Sequence, residues 1–283
     1  MPTQYEKARA FADAHQGPRV LVLPNAWDPG TAVVMAESGF PFIATTSAGI
    51  AFAQGRPDGQ RLSRSEMLEL VGRIAAAVDV PVTADLEAAY GPSPEDVALT
   101  VGGALASGVV GCNIEDATGD RDRPLFELEL ATERIRAGAE VVRSSGVPFV
   151  LNARIDPYLR RVGTPEECFA ESVRRAHAYR EAGAGCLYVP GVTDPDAIGR
   201  LAREIDGPLN VLGAWGGAER TLPVADLEAL GVRRVTIGGS LALAALGLVR
   251  RALAEIREHG TFGYTRDAMS GGEVNALMAG RGR

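Results

Sequence analysis

Eight short apolar runs, separated by longer amphipathic stretches, constrain this chain more than any other feature. The runs fall at 20–23, 42–45, 82–85, 111–115, 149–154, 186–189, 209–212 and 233–237. Their length suits short buried strands, and the stretches at 63–78, 94–106, 128–144, 165–182, 195–204 and 223–229 read as helices. Several helices open on a capping signal: Ser63 with Glu66, Thr164 with Glu167, and Ser93 before Pro94. Several close at a glycine, as at Gly108, Gly146 and Gly183. Asp79-Val80-Pro81, Gly146-Val147-Pro148 and Asp206-Gly207-Pro208 each end one helix and launch the next strand. Eight strands alternating with helices predict an α/β fold, a single-domain (β/α)8 TIM barrel. A doubly wound open sheet fits less well, because no Gly-x-Gly-x-x-Gly follows the first strand. No linker or composition shift divides the chain. The expected organisation is a catalytic barrel over 1–260 and a C-terminal extension over 261–283. That extension, with a short helix at 267–278 and an Arg-Gly-Arg end, is expected to pack on the barrel or on a neighbouring subunit.

Composition removes many function classes. At 46% hydrophobic and 23% charged residues, the chain has the balance of a folded protein. No apolar run reaches the ~20 residues that span a bilayer. The N-terminus carries no signal-peptide core, so a cytoplasmic location and no membrane partner are expected. A net charge of −7 without a basic stripe argues against nucleic acid. Lys7 is the only lysine and lies in a polar segment, which disfavours Schiff-base chemistry. A P-loop and a Gly-x-Ser-x-Gly elbow are both absent from the sequence. Cys112, Cys168 and Cys186 are odd in number and widely spaced, as small buried apolar residues are.

Barrel chemistry collects at the C-terminal ends of strands. There the sequence places Asp85 and Glu87, Glu115 and Asp116, and Arg154 and Asp156, with Asp58 in the loop after the second strand. Gathering Asp58, Asp85, Glu87 and Glu115 at one mouth is costly without a cation. Hard oxygen donors with few His or Cys point to Mg2+, or Mn2+, rather than zinc. Mg2+ keeps several waters, so Asp85 is the expected direct ligand and the other carboxylates reach it through water. The planar fork of Arg154 suits a substrate carboxylate or phosphonate. Blander roles are expected for Asp116 (capping), Asp156 (the turn before Pro157), Arg121 and Arg123 (solvated until a lid closes), and His177 and His259 (structural). Trp27 and Trp215 are expected to pack or to line the mouth, and Gly238-Gly239, opening a helix, either to allow close helix packing or to bind phosphate.

At these residues the sequence resembles the isocitrate lyase / phosphoenolpyruvate mutase superfamily over residues 20–260. The marks are Pro24-Asn25-Ala26-Trp27-Asp28, Thr45-Thr46-Ser47-Ala48-Gly49, Gly55-Arg56-Pro57-Asp58, Asp85-Leu86-Glu87-Ala88-Ala89-Tyr90-Gly91, Asn113-Ile114-Glu115-Asp116 and Ala153-Arg154-Ile155-Asp156. The resemblance implies a (β/α)8 barrel, Mg2+, a small-molecule 2-oxo acid or its enolate, and a homo-oligomer, tetramer or dimer, whose eighth helix can be exchanged between subunits. It also implies Asp85 as direct metal ligand, and Asp58, Glu87 and Glu115 on metal-bound waters. Arg154 with Thr46, Ser47 and Ala48 would hold the substrate carboxylate, and Asn210 would contact substrate. Asp58, Arg154 and Glu115 are the candidate catalytic residues.

Departures from the family pattern narrow the chemistry. Glu87 stands where a second Asp is usual. The loop Ala117-Thr118-Gly119-Asp120-Arg121-Asp122-Arg123-Pro124 has neither the Cys and His of the isocitrate and methylisocitrate lyases nor the Lys and Asn of the phosphonate enzymes. Gly191 falls where the methylisocitrate-type lyases carry Glu. The expected activity is a Mg2+-dependent lyase acting on a small 2-oxo or 2-hydroxy acid through a pyruvate-like enolate, by C–C cleavage or decarboxylation. P–C bond chemistry, as phosphonomutase or phosphonopyruvate hydrolase, is the enzyme alternative. A non-catalytic oxo-acid-binding barrel is the other.

Overall fold

The computed structural model describes residues 2–214 and 217–280. Trp215 and the terminal Arg281-Gly282-Arg283 lie outside the described residues. Nine short parallel strands form one sheet: β1 (Leu21–Leu23), β2 (Asn25–Ala26), β3 (Ile43–Thr45), β4 (Val82–Asp85), β5 (Gly111–Glu115), β6 (Val150–Arg154), β7 (Cys186–Val189), β8 (Leu209–Leu212) and β9 (Arg234–Thr236). Their order is β1-β9-β8-β7-β6-β5-β4-β3-β2. Pro24, which has no N–H to donate, splits one strand into β1 and β2. The first half pairs with β9 and the second with β3, so the chain itself closes the ring into an eight-position barrel.

The strands are joined by α1 (Gln4–His15), α2 (Pro29–Glu37), α3 (Ser47–Ala53), α4 (Arg64–Ala76), α5 (Pro94–Ala106), α6 (Leu128–Ser145), α7 (Pro157–Arg160), α8 (Pro165–Glu181), α9 (Pro195–Glu204), α10 (Val224–Ala229), α11 (Ser240–His259) and α12 (Gly271–Ala279). The capping boxes expected at Ser63 and Thr164 are formed, and Ser93 makes a third with Asp96. α6 ends on Gly146 at φ 69°, a left-handed cap that a side chain would strain. The core lies between the barrel wall and its helices, where Val71, Val97, Val101, Leu187, Leu201 and Val232 are fully buried. All three cysteines are buried and free, as their spacing predicts. Among the described residues, no helix is long and apolar enough to cross a membrane.

Helix α1 was not legible in the sequence. Its apolar residues are few but correctly spaced: Ala8 and Phe11 are fully buried, and His15 is nearly so. They plug the N-terminal end of the barrel, with the Phe11 ring edge-on to His15 at 4.6 Å and tilted against Phe42 at 5.5 Å. Helix α11 does the opposite. Of its twenty residues only Ala242 and Ala252 are buried, while Leu243, Leu246, Val249 and Leu253 stand more than half or about half exposed. Beyond it the chain returns, and α12 packs against α2, with Met278 Cε near Gly30.

His15 gives the fold a pH signature. Its Nδ1 pairs with the Phe11 carbonyl at 2.8 Å, which requires the proton on Nδ1. Burial, and then the nearby Arg234 charge, lower its pKa from 6.5 to about 4. The unfolded chain therefore binds a proton between those values that the native state refuses. This stabilisation is complete above pH 6.5 and is lost as pH falls towards 4, by about 3 kcal/mol in all. Urea denaturation at pH 7.5 and 4.5 should show His15→Gln losing about 2.5 kcal/mol less stability on acidification than the parent. Equal losses in both proteins would sink the assignment.

Candidate active site

Side chains on a strand alternate, so one residue in two faces the barrel interior. At the C-terminal ends the inward positions are Asn25, Asp85, Asn113, Arg154, Tyr188, Leu212 and Thr236, which line a cavity of about 470 Å³. Thr46, Ser47 and Ala48 at the start of α3, Asp58, and Leu159 with Arg160 on α7 complete its rim. Glu87 and Glu115 are not among them, and neither is Asn210. It lies two residues before Leu212, hence one layer deeper, fully buried and accepting from the Thr236 hydroxyl at 3.4 Å. The expected substrate contact from Asn210 is therefore corrected: strand alternation puts Leu212 at the mouth instead.

Asp85 is held from two sides. Its Oδ2 accepts from the Ser47 N–H at 3.0 Å and the Ser47 hydroxyl at 2.7 Å, and its Oδ1 accepts from Asn113 Nδ2 at 2.8 Å. Asp58 sits exposed at the rim, where its low-dielectric surroundings and then the Asp85 charge raise its pKa. Glu87 is buried and accepts from the Gln60 N–H. Burial, with Asp85 and Asp58 adding, lifts it to about 7.

Carboxyls that push each other towards neutrality describe a site that gains from a cation. Among the described residues, no three Asp, Glu, His or Cys come close enough to chelate an ion directly. Asp85, whose charge acts on both Asp58 and Glu87, is a hard oxygen donor that fits a hydrated cation such as Mg2+, with the other carboxylates reached through water.

Glu115 is engaged with guanidinium groups. Its Oε2 lies 2.6 Å from Arg154 Nη1 and its Oε1 lies 3.4 Å from Arg160 Nη2. Burial pushes its pKa up, against the pull of Arg154. Asp156, expected to serve only a turn, is fully buried and takes Arg154 side-on, at 2.7 Å from Nε and 3.0 Å from Nη2. Burial alone would lower Arg154, but Asp156 and Glu115 hold it well above its ordinary value. Asp116 is likewise no cap: it accepts from the Asp156 N–H at 2.9 Å, Arg175 at 3.0 Å and the Tyr179 hydroxyl at 2.8 Å. Arg160 escaped the sequence reading, although its spacing of four from Asp156 on a helical turn was the available signal. Its Nε lies 3.3 Å from Asp156.

The segment after Asp85 is strained. Glu87, Ala89 and Tyr90 all have positive φ, at 51°, 63° and 58°. Buried Arg134 holds them there, donating to the Ala88 and Gly91 carbonyls at 2.7 Å each, while the Thr100 hydroxyl takes the Ala89 carbonyl at 2.9 Å. The loop 117–127 forms a tight hairpin, with Ala117 bridged to Leu125. Thr118, Asp120, Arg123 and Phe126 line a second cleft of about 520 Å³ beside the mouth, which also reaches Gln60. Arg121 and Arg123 are solvated, as expected. Trp27 packs against the core. Gly238 and Ile237 donate their N–H groups to Asn25 Oδ1 at 3.0 and 2.9 Å.

Arg134→Met should cost about 3 kcal/mol in chemical denaturation, because charged hydrogen bonds to two buried carbonyls are lost. A loss below 1 kcal/mol would mean that the strained loop does not need the guanidinium.

The family model for phosphoenolpyruvate phosphomutase matches residues 11–257. A solved lyase/mutase-type structure from Burkholderia cenocepacia J2315 is 42% identical, covers 98% of this chain and 96% of its own, and superposes with a TM-score of 0.91. The oxaloacetate decarboxylase of Chromohalobacter salexigens is 28% identical over 91% of this chain and 88% of its own length. A phosphonopyruvate hydrolase solved with oxalate and Mg2+ is 27% identical, with a TM-score of 0.84 over 97% of this chain and 95% of its own. The chain belongs to the phosphoenolpyruvate mutase family, within the isocitrate lyase / phosphoenolpyruvate mutase superfamily of enzymes.

Proposed function

We propose that this protein is a Mg2+-dependent lyase that cleaves a bond adjacent to the carbonyl of a small 2-oxo acid, or of the 2-hydroxy acid related to it, through a pyruvate-like enolate. The observation that carries this reading is the pairing, across one cavity, of a carboxylate held by Ser47 and Asn113 with a guanidinium held by Glu115 and Asp156. Asp85 would bind the ion, with Asp58 and Glu87 reaching it through water. Once bound, the ion supplies positive charge for the oxo and carboxylate oxygens of the substrate.

The chain's own residues do the rest. Asp156 uses the side-on edge of Arg154, and further guanidinium N–H groups remain for the substrate carboxylate. The Thr46 and Ala48 backbone bounds the same end of the cavity. Tyr188, Leu212 and Pro190 form a dry wall against which an enolate avoids bulk water. From a 2-oxo acid the bond to the leaving carboxylate breaks, its electron pair enters the pyruvate enolate and carbon dioxide departs; from a 2-hydroxy acid a carboxylate of the mouth takes the hydroxyl proton, the C–C bond breaks, pyruvate departs and the electron pair enters the enolate of the other acid. The enolate carbon then takes a proton, and Asp58, raised and at the rim, is placed to relay it. The relatives named as an oxaloacetate decarboxylase and a phosphonopyruvate hydrolase support a substrate of this size.

Pyruvate release should be assayed from oxaloacetate, 2-methylmalate, 2,3-dimethylmalate, methylisocitrate and phosphonopyruvate, with and without Mg2+. Metal-dependent pyruvate from a carboxylic acid is expected. Asp85→Ala should abolish both that activity and the Mg2+-induced rise in Tm, and Arg154→Met should lower kcat/KM by about 10³-fold. Phosphonopyruvate as sole substrate would move the enzyme to P–C chemistry. A Mg2+ shift in Tm without turnover would favour an oxo-acid-binding barrel.

The exposed leucines of α11 support a homo-oligomer, since so long an apolar row is unfavourable in water. Light scattering should give a dimer or tetramer, which Leu246→Asp with Leu253→Asp reduces to monomer. A monomeric parent protein would refute this.

A further inference from the structure

The barrel interior below the mouth is polar, and its polarity is one-sided. The residues two positions before the mouth-lining ones face the same way. They include Thr83, Asn152, Cys186, Asn210 and Arg234. Register ties them together: Asn152 pairs with Cys186 and Asn210 with Arg234, and the Arg234 guanidinium reaches the Cys186 sulfur. Phe11 of the α1 plug closes the layer from below, its ring centroid 5.6 Å from Arg234 Cζ. Thr83, Asn152, Asn210 and Arg234 are each at most 1% exposed.

Their hydrogen-bonding atoms do not satisfy one another. Arg234 Nε and Nη1, Asn152 Nδ2, Asn210 Nδ2 and the Thr83 hydroxyl have no protein partner. Among the described residues, the unpartnered acceptors in this region are Asn152 Oδ1, His15 Nε2 and the Thr83 hydroxyl oxygen, fewer than the N–H and O–H donors they would have to serve. A guanidinium stays protonated in proteins, and burying it without a counter-charge is among the costlier arrangements in a fold. The acidic groups that act most strongly on Arg234 are Cys186, Tyr188 and Cys112, none a carboxylate. Cys186 also donates its proton to the Pro208 carbonyl at 3.3 Å, as a neutral thiol does. Water both donates and accepts, so beside these atoms it would leave the donor surplus and the charge unbalanced. A small anion balances both.

We propose that the barrel interior holds a monovalent, halide-sized anion between Arg234 and the side-chain amides of Asn152 and Asn210, separate from the catalytic mouth above it. The site is closed by the α1 plug below and by Tyr188 and Asn113 above, so the anion is a structural component rather than a substrate. Its presence also makes the identity of the salt a determinant of stability.

Crystals of the whole protein grown with bromide as the only halide provide the direct test, without any substitution. An anomalous bromide peak within about 3.5 Å of the Arg234 guanidinium is expected. In solution, Tm should rise by about 3–5 °C, saturably, when gluconate is replaced by chloride at constant ionic strength. Arg234→Met should abolish that dependence. Density that refines as water alone at this position in bromide-grown crystals, or equal Tm values in chloride and gluconate, would overturn the proposal. Because neither readout involves turnover, failure here leaves the assignment of the mouth untouched, and failure of the activity panel leaves this site untouched.

Discussion

The ion pairs at the ends of β5 and β6 carry the rest of the site. A guanidinium so deeply placed is stable only if carboxylates meet it, and Arg154 meets two, Glu115 and Asp156. Asp156 in turn is fixed by its own N–H to Asp116, and Asp116 by Arg175 and Tyr179 on α8. The chain of contacts runs from an outer helix, through a buried carboxylate, to the Arg154 guanidinium that faces the mouth from the end of β6. Its direction explains why residues that looked like caps or turns are among the most buried polar groups in the protein. They orient Arg154 rather than touch anything in the cavity.

Much of this architecture was legible from the chain. Strands 82–85, 111–115, 186–189 and 209–212 have the bounds that their apolar runs indicate, because a barrel strand buried on both faces has little choice of register. What escaped was whatever depends on three-dimensional closure. Helix α1 has too few apolar residues to advertise itself, yet Ala8, Phe11 and His15 suffice once a barrel end needs stopping. Asn210 looked like a mouth residue because it is polar and near a strand end. The sequence could not reveal that polarity continues a full layer down, through Asn152 and Arg234. Arg160 lay in a segment that reads as a loop, and only the turn of α7 brings it back to Glu115.

The strained segment after Asp85 is where local preference and tertiary demand conflict. Ala89 takes φ 63°, a backbone conformation that glycine adopts freely and alanine does not. Two carbonyls tied to Arg134, one to Thr100, and the Tyr90 N–H tied to Gln60 at 2.6 Å hold that conformation against its cost. The same Gln60 gives its N–H to Glu87. One side chain and its backbone therefore couple the loop bearing Asp58 to the loop bearing Glu87.

Helix α11 links this geometry to the molecule's outer surface. It begins at Gly239, whose Cα lies close enough to α3 that an added Cβ would meet Ala48 Cβ at 3.6 Å. Its first turn delivers Leu243 to the cavity wall. From there the helix runs outward with its leucines uncovered. At its start Gly239 and Leu243 line the cavity, as Thr46, Ser47 and Ala48 do. The apolar face outside the barrel and the polar cavity at its mouth are two ends of a single rigid element.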